Sequence, residues 1–120
     1  MATATAPSTG TYRQLYIDGQ WVDATGGKRQ NVTNPATEEA IAEVAFGTRA
    51  DCQRAIAAAA AAMPGWAKQT SWDRAKVLKK TADLMRERAD GIARTLTMEQ
   101  GKPVAEAKAE VLHSADTFEW

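Results

Sequence analysis

Cysteine and histidine each occur only once in this sequence, as Cys52 and His113. A single cysteine excludes an internal disulfide and a metal site built from cysteines. An excess of positive charge is also lacking, because fifteen basic residues are balanced by fifteen acidic ones. Nucleic-acid proteins usually have a basic face, and no apolar run here is long enough for a membrane helix. We therefore expect no nucleic-acid partner and no membrane partner.

The first ten residues, MATATAPSTG, lack the charged start and the apolar stretch of a secretory signal. Small residues dominate this stretch, so residues 1–11 are predicted to form a flexible tail. With 44% hydrophobic residues overall, the rest of the chain is expected to fold. A reducing, cytoplasmic compartment suits this composition.

Two short β-hairpins are predicted in the first half of the chain. In LYIDGQWV, the pair Asp18-Gly19 is a strong two-residue turn signal, because both turn positions require positive φ. This turn places Tyr16 opposite Trp21 as an aromatic cross-strand pair. The second hairpin joins residues 31–35 to residues 39–46.

About four α-helices are predicted after the hairpins. Thr48, with Asp51 three residues later, fits a capping arrangement at the start of the first helix. Pro64-Gly65 is expected to end that helix. Ser71 is the expected N-cap of the second helix, and Gly101 suits the C′ position of the third.

The fourth helix starts near Pro103 and reaches Trp120 without a C-terminal signal. The helical pattern therefore continues to the end of the chain. Each helix carries apolar residues at helical spacing, and we expect these stripes to be exposed in the segment. The stripes are Cys52, Ile56, Ala59 and Met63; Ala75, Leu78, Ala82, Met85 and Ala89; Ile92, Leu96 and Met98; and Val104, Ala107, Val111, Ala115 and Phe118.

No active site is visible in the residue pattern alone. A nucleophile requires a nearby base, and Cys52 lies on the apolar stripe of the first helix, so we interpret it as an inert, packed thiol. The alternative is a reactive thiol whose pKa is lowered by the helix start. The sequence has neither a glycine-rich strand–turn–helix unit for a dinucleotide nor a histidine–carboxylate cluster with metal-ligand spacing.

One long stretch, TLTMEQGKPVAEAKAEV at residues 95–111, resembles the aldehyde dehydrogenase superfamily. Upstream, IDGQWV is similar to the first hairpin of that family, and VTNPATEEAIAEVAFG is similar to its Asn-Pro-Ala-Thr turn and following strand. The form MEQGKPVAEAKAEV with a later Glu-Trp pair is most similar to the succinate-semialdehyde dehydrogenase branch. The resemblance spans residues 14–120, and its specificity comes from the shared order of these motifs.

The resemblance implies an α/β aldehyde dehydrogenase-like fold in the complete protein. Residues 12–120 would be its N-terminal part, ending before the Rossmann unit and the catalytic domain. The implied activity is oxidation of an aldehyde, such as succinate semialdehyde, to the carboxylic acid. NAD or NADP would be bound by the absent part, and the complete enzyme would be a homodimer or homotetramer. Cys52 does not match the motif of the catalytic cysteine, so the segment alone is expected to be inactive.

The resemblance also assigns three candidate site residues. His113 would lie on the helix that borders the aldehyde tunnel, with a solvated or packed histidine as the alternative. A monovalent cation would be held between a carbonyl at Val32 or Thr33 and the side chain of Glu99, which suits hard oxygen ligands. The alternative for Glu99 is a surface or capping role. Glu38 stands where the family turn often has glycine, so positive φ there would cost roughly 1 to 2 kcal/mol.

Two other interpretations remain open from the sequence. Exposed Phe118, Trp120 and the alanine-rich face would also suit a free-standing helical interaction module. A truncated product without a function of its own is the third interpretation.

Overall fold

A computed structural model describes residues 11–120. These residues fall into two compact units, the first ending at Met63 and the second beginning at Pro64, and each unit is described by itself. The strands are β1 (Thr11–Arg13), β2 (Leu15–Ile17), β3 (Gln20–Val22), β4 (Arg29–Thr33) and β5 (Ala40–Ala45). The helices are α1 (Arg49–Ala67), α2 (Ser71–Glu87), α3 (Ala89–Gln100) and α4 (Val104–Glu119). In this part of the chain, no helix is both long enough and apolar enough to cross a membrane.

The first predicted hairpin is confirmed, with its register. β2 pairs antiparallel with β3, and Tyr16 lies opposite Trp21 with ring centroids 4.9 Å apart. The turn residues Asp18 and Gly19 have φ values of 52° and 72°. Both values are positive, as a two-residue turn between twisted strands requires.

The second hairpin is also confirmed, but it belongs to a three-stranded sheet with the order β1-β5-β4. β4 pairs antiparallel with β5, and β1 pairs parallel with β5, with Thr11 opposite Ala42. The β1 strand was not predicted, because a strand of three residues shows no alternation. Thr11, assigned to the tail from the sequence, therefore begins a strand, and residues 1–10 lie outside the described residues.

The turn between β4 and β5 contains a strained residue. Glu38 has φ of 61°, a left-handed conformation that is costly for a residue with a Cβ atom. Hydrogen bonds hold the turn closed: Glu38 N donates to Asn34 O at 2.8 Å, and Asn34 N donates to Glu39 O at 2.9 Å. The turn thus keeps the positive φ that a glycine would adopt at this position, although the residue here is a glutamate.

The start of α1 is organised by the carboxylate of Asp51, which is only 2% exposed. Thr48 N and Thr48 Oγ1 each donate to Asp51 Oδ2 at 2.8 Å, which confirms the predicted cap. Thr25, in the loop after β3, donates to the same carboxylate. Its N lies 3.2 Å from Asp51 Oδ1 and 3.1 Å from Oδ2, and its Oγ1 lies 2.5 Å from Oδ1. These bonds, with that from the Thr25 hydroxyl the strongest, hold the pKa of Asp51 well below its ordinary value.

The predicted end of α1 at Pro64-Gly65 is wrong, because the helix continues to Ala67. Proline removes one i→i−4 hydrogen bond and crowds the preceding turn. Here Pro64 lies in the last turn, after an alanine run of high helix propensity. Beyond it, Lys68 N still donates to Pro64 O at 3.2 Å. Pro64 therefore disturbs the hydrogen bonding of the last turn of α1 but does not end the helix.

The second unit packs through alanine. α4 lies against both α2 and α3. The buried apolar side chains of these helices are Ala82, Ala89, Ala93, Ala107, Val111 and Ala115. Side chains this small let the helix axes approach closely, but they bury little apolar area.

Helix ends in the second unit follow local signals. Thr70, and not Ser71, is the N-cap of α2, since its Oγ1 accepts from Asp73 N at 3.2 Å. Gly101 has φ of 77° and donates to Thr97 O at 2.8 Å, which confirms its predicted capping role.

Many large apolar side chains remain exposed, with relative exposures such as 67% at Met63 and 79% at Trp72. The predicted exposure of the stripes is confirmed for Ile56, Met63, Leu78, Ile92, Met98, Val104 and Phe118. It is wrong for the stripe residues that the helices bury against one another, which are Ala82, Ala89, Ala107, Val111 and Ala115. Exposed side chains outside the stripes are Trp66, Trp72, Val77, Leu112 and Trp120.

Replacing Glu38 with glycine is expected to raise the free energy of unfolding by about 0.5 to 1 kcal/mol. Glycine relieves the left-handed strain, and its greater unfolded-state entropy offsets part of the gain. Glu38→Ala keeps a Cβ atom and is expected to give no such gain. Glu39→Gly, at a residue without positive φ, should destabilise. Urea midpoints measured by circular dichroism decide this, and equal effects of the two glycine substitutions would contradict it.

Replacing Asp51 with asparagine is expected to lower the free energy of unfolding by about 1.5 to 3 kcal/mol, because an amide NH₂ cannot accept the donated bonds. Since the pKa of Asp51 is depressed in the folded state, its stabilisation is complete above about pH 4 and is lost as the pH falls further. Urea midpoints of wild type and variant should therefore converge toward about pH 2. A constant difference between them from neutral pH to pH 2 would count against this role.

Candidate functional site

A shallow groove lies along one side of α4. His113, Asp116, Thr117 and Trp120 line it, and its volume is about 280 Å³. These residues share a face because positions three, four and seven apart are neighbours on a helix. His113 is exposed among residues 11–120, so these residues do not pack it into a core. Its role at an aldehyde entry stays a prediction.

Cations from α2 pair with the acidic end of α4. Arg86 Nη2 lies 2.8 Å from Asp116 Oδ1 and 2.6 Å from Glu119 Oε2, and Lys79 Nζ lies 2.9 Å from Glu119 Oε1. The last turn of α4 has no basic residue of its own. Because a helix C-terminus favours positive charge, Lys79 and Arg86 supply what α4 lacks.

The pKa values of Arg86 and Glu119 shift in the directions that their contacts in this network predict. Asp116 first and then Glu119 raise the pKa of Arg86, and Lys79 first and then Arg86 lower the pKa of Glu119. Arg86 and Glu119 thus favour their charged forms. Because the network is exposed, its contribution to stability is modest and depends on salt.

The predicted cation ligands lie in different units. Val32 is a half-buried residue of β4 in the first unit, and Glu99 is an exposed residue near the end of α3 in the second. Their oxygen atoms fit a hard cation in type, but two donors are fewer than such ions usually take. Between residues 11 and 120, no cluster of three or more His, Cys, Asp or Glu residues is arranged to hold a metal ion. The pairing of Val32 with Glu99 remains a prediction.

Cys52 is exposed in the first turn of α1, so its thiol is not packed by the described residues, and its inert role stays a prediction. The same stripe leaves Ile56 62% and Met63 67% exposed. Helical spacing correctly placed these residues on one face. It carries no information on whether another element covers that face.

A polar cluster in the first unit was missed from the sequence. Tyr12 Oη donates to Asp23 Oδ1 at 2.6 Å, and Gln14 Nε2 donates to the same atom at 3.2 Å. The guanidinium of Arg29 lies 4.0 Å from the centre of the Tyr12 ring, and its Nη1 lies 3.2 Å from Glu43 Oε2. The Tyr12 hydroxyl is the main cause of the lowered pKa of Asp23. These partners are nine or more residues apart, so no local motif signals them.

Comparisons with known proteins agree with the resemblance. The aldehyde dehydrogenase family profile matches residues 21–120. The chain is 47% identical over 108 residues to glutarate-semialdehyde dehydrogenase of Pseudomonas aeruginosa, and 41% identical over 108 residues to an NADP(+) succinate-semialdehyde dehydrogenase of Escherichia coli. Each alignment covers 90% of this chain and 22% of the relative, so the chain spans about a fifth of the length of these relatives. The predicted similarity to semialdehyde dehydrogenases is confirmed.

The fold agrees as well. A betaine aldehyde dehydrogenase of Staphylococcus aureus, solved in complex with NAD+, is similar to this chain with a TM-score of 0.86 and 32% identity. That alignment covers 89% of this chain and 22% of the solved chain. The predicted fold class is thereby confirmed, and the chain belongs to the aldehyde dehydrogenase family.

Proposed function

We propose that this chain is the N-terminal part of an NAD(P)-dependent dehydrogenase that oxidises a semialdehyde bearing a terminal carboxylate. The observation that carries the proposal is the family match over residues 21–120, together with relatives named for glutarate and succinate semialdehydes. The product is the corresponding dicarboxylic acid.

NAD(P) accepts the hydride in such an oxidation, but the described residues do not fit a site for it. A dinucleotide unit alternates strands with helices and places a glycine-rich turn at a helix start. In residues 11–120, every strand precedes every helix. We therefore propose that the cofactor and the catalytic cysteine belong to the part of the enzyme beyond this chain, and that Cys52 has no catalytic role.

The α4 groove supports a role for this segment at the aldehyde entry. His113 presents an exposed imidazole beside Thr117 and Trp120 in that groove. Such a surface combines an apolar wall with polar groups that guide a small polar substrate. In the proposed enzyme, His113 contacts the aldehyde during its approach and takes no part in the proton or hydride transfer.

The exposed apolar side chains support a role in assembly. An exposed apolar surface of this extent is typical of an interaction face. We propose that the rest of the subunit and a second subunit cover it, in a cytoplasmic homodimer or homotetramer. A monomeric mass for the full-length enzyme in light scattering would contradict this assembly. The same surface would also suit an independent helical interaction module, but the family match favours the enzyme.

The 120-residue chain alone is expected to give no NAD+ or NADP+ reduction with succinate or glutarate semialdehyde. The full-length gene product is expected to turn over both, since it adds the cofactor and nucleophile sites. Full-length Cys52→Ser should keep kcat/KM within about twofold of wild type, because this thiol makes no covalent intermediate. Turnover by the segment, or loss of turnover in Cys52→Ser, overturns the proposal.

A monovalent cation between Val32 and Glu99 is proposed for the full-length enzyme. Replacing tetramethylammonium by Na+ or K+ at equal ionic strength should then stabilise it, by about 1.4 kcal/mol when the cation is at ten times its Kd. In Glu99→Gln, the thermal midpoint should no longer differ between tetramethylammonium and Na+ or K+. Glu106 is an exposed acid on α4, and Glu106→Gln should keep the difference between these salts. An unchanged difference in Glu99→Gln removes Glu99 from the site.

A further inference from the structure

We infer that Arg86 is a positioning residue for substrate charge: it neutralises Asp116 beside the α4 groove, so that an anionic aldehyde meets no unpaired carboxylate there. The inference rests on the proposed function, in which the aldehyde passes this groove. It assigns Arg86 a role in selecting the substrate without direct contact with the reacting atoms.

The geometry carries the first step. Asp116 is a lining residue of the groove, and its Oδ1 lies 2.8 Å from Arg86 Nη2. The Asp116 side chain is 68% exposed and that of Arg86 is 33% exposed. The acid therefore faces the solvent from which substrate arrives, while the cation holds it from the side of α2.

The balance of charge carries the second step. The network has two cations, Lys79 and Arg86, and three acids, Asp83, Asp116 and Glu119. Lys79 contacts Glu119 and Asp83, which leaves Arg86 as the cation in contact with Asp116. Without Arg86, the acid on the groove would be the one without a partner. A carboxylate on the substrate would then meet a like charge during its approach.

The expected size of the effect is small but measurable. Two like charges roughly 8 Å apart in water repel enough to change an equilibrium about two- to threefold, and a lower local dielectric constant raises this to about fivefold. Added salt weakens the repulsion, because the Debye length falls to about 3 Å at 1 M. A neutral aldehyde feels no such repulsion at any salt concentration.

The test compares succinate semialdehyde with butanal, a neutral aldehyde of the same chain length, in the full-length enzyme at low salt. Arg86→Gln should raise KM for succinate semialdehyde about two- to fivefold relative to KM for butanal, with kcat for both unchanged. Asp116→Asn added to Arg86→Gln should restore the wild-type ratio of KM values. Lys80→Gln removes a charge from the same helix without touching this network, so it should leave the ratio unchanged.

Two further variants keep the test decisive. Asp116→Asn alone, at an exposed position, should lower KM for succinate semialdehyde relative to butanal even if Arg86→Gln folds poorly. His113→Ala should change KM for both aldehydes, because its proposed role does not depend on substrate charge. An equal change of both KM values in Arg86→Gln, or no rescue by Asp116→Asn, overturns the inference while the proposed function stands. If the full-length protein oxidises neither aldehyde, the proposed function fails and the inference fails with it.

Discussion

The packing of α4 against α2 and α3 through alanine is the constraint on which the second unit depends. Alanines at positions 82, 93, 107 and 115 are fully buried, and a close-packed interior leaves little space for a larger side chain. The same arrangement sends the large apolar side chains outward, with Trp72 79% exposed. A unit built in this way gains little stability from its own core. Its outer surface is suited to burial against further protein, as the proposed function requires.

The first unit depends on polar anchoring more than on a core. Asp51 receives hydrogen bonds from Thr25 and Thr48, and so joins the loop after β3 to the start of α1. In the second unit, Arg86 performs a comparable task by joining α2 to the end of α4. The difference is exposure: Asp51 is buried, whereas the Arg86 network is open to solvent and salt. The buried contacts of Asp51 therefore stabilise the fold of the first unit, whereas the exposed contacts of Arg86 mainly affect the charge of the surface at the end of α4.

Local signals in the sequence predicted much of the fold. Asp18-Gly19 set the first hairpin, and Gly101 ended α3, because each residue adopts a backbone conformation that its type favours. The end of α1 predicted at Pro64 was wrong, because one lost hydrogen bond near a helix end is a small cost after an alanine run. The parallel pairing of β1 and the contact of Arg86 with Asp116 join distant residues, so no spacing rule reveals them. Of the candidate site residues, the resemblance placed His113 on the last helix, where it is exposed. Val32 and Glu99 lie in different units, so no pattern within one unit tests their pairing.

Amide hydrogen exchange of the 120-residue chain, compared with the same residues in the full-length enzyme, tests the central claim most directly. If the segment needs further protein to cover its apolar faces, amides of α2, α3 and α4 should exchange at least about tenfold faster in the isolated chain, a difference of about 1.4 kcal/mol in opening free energy. Equal protection in both, with a sharp cooperative unfolding of the isolated monomer, would contradict the account.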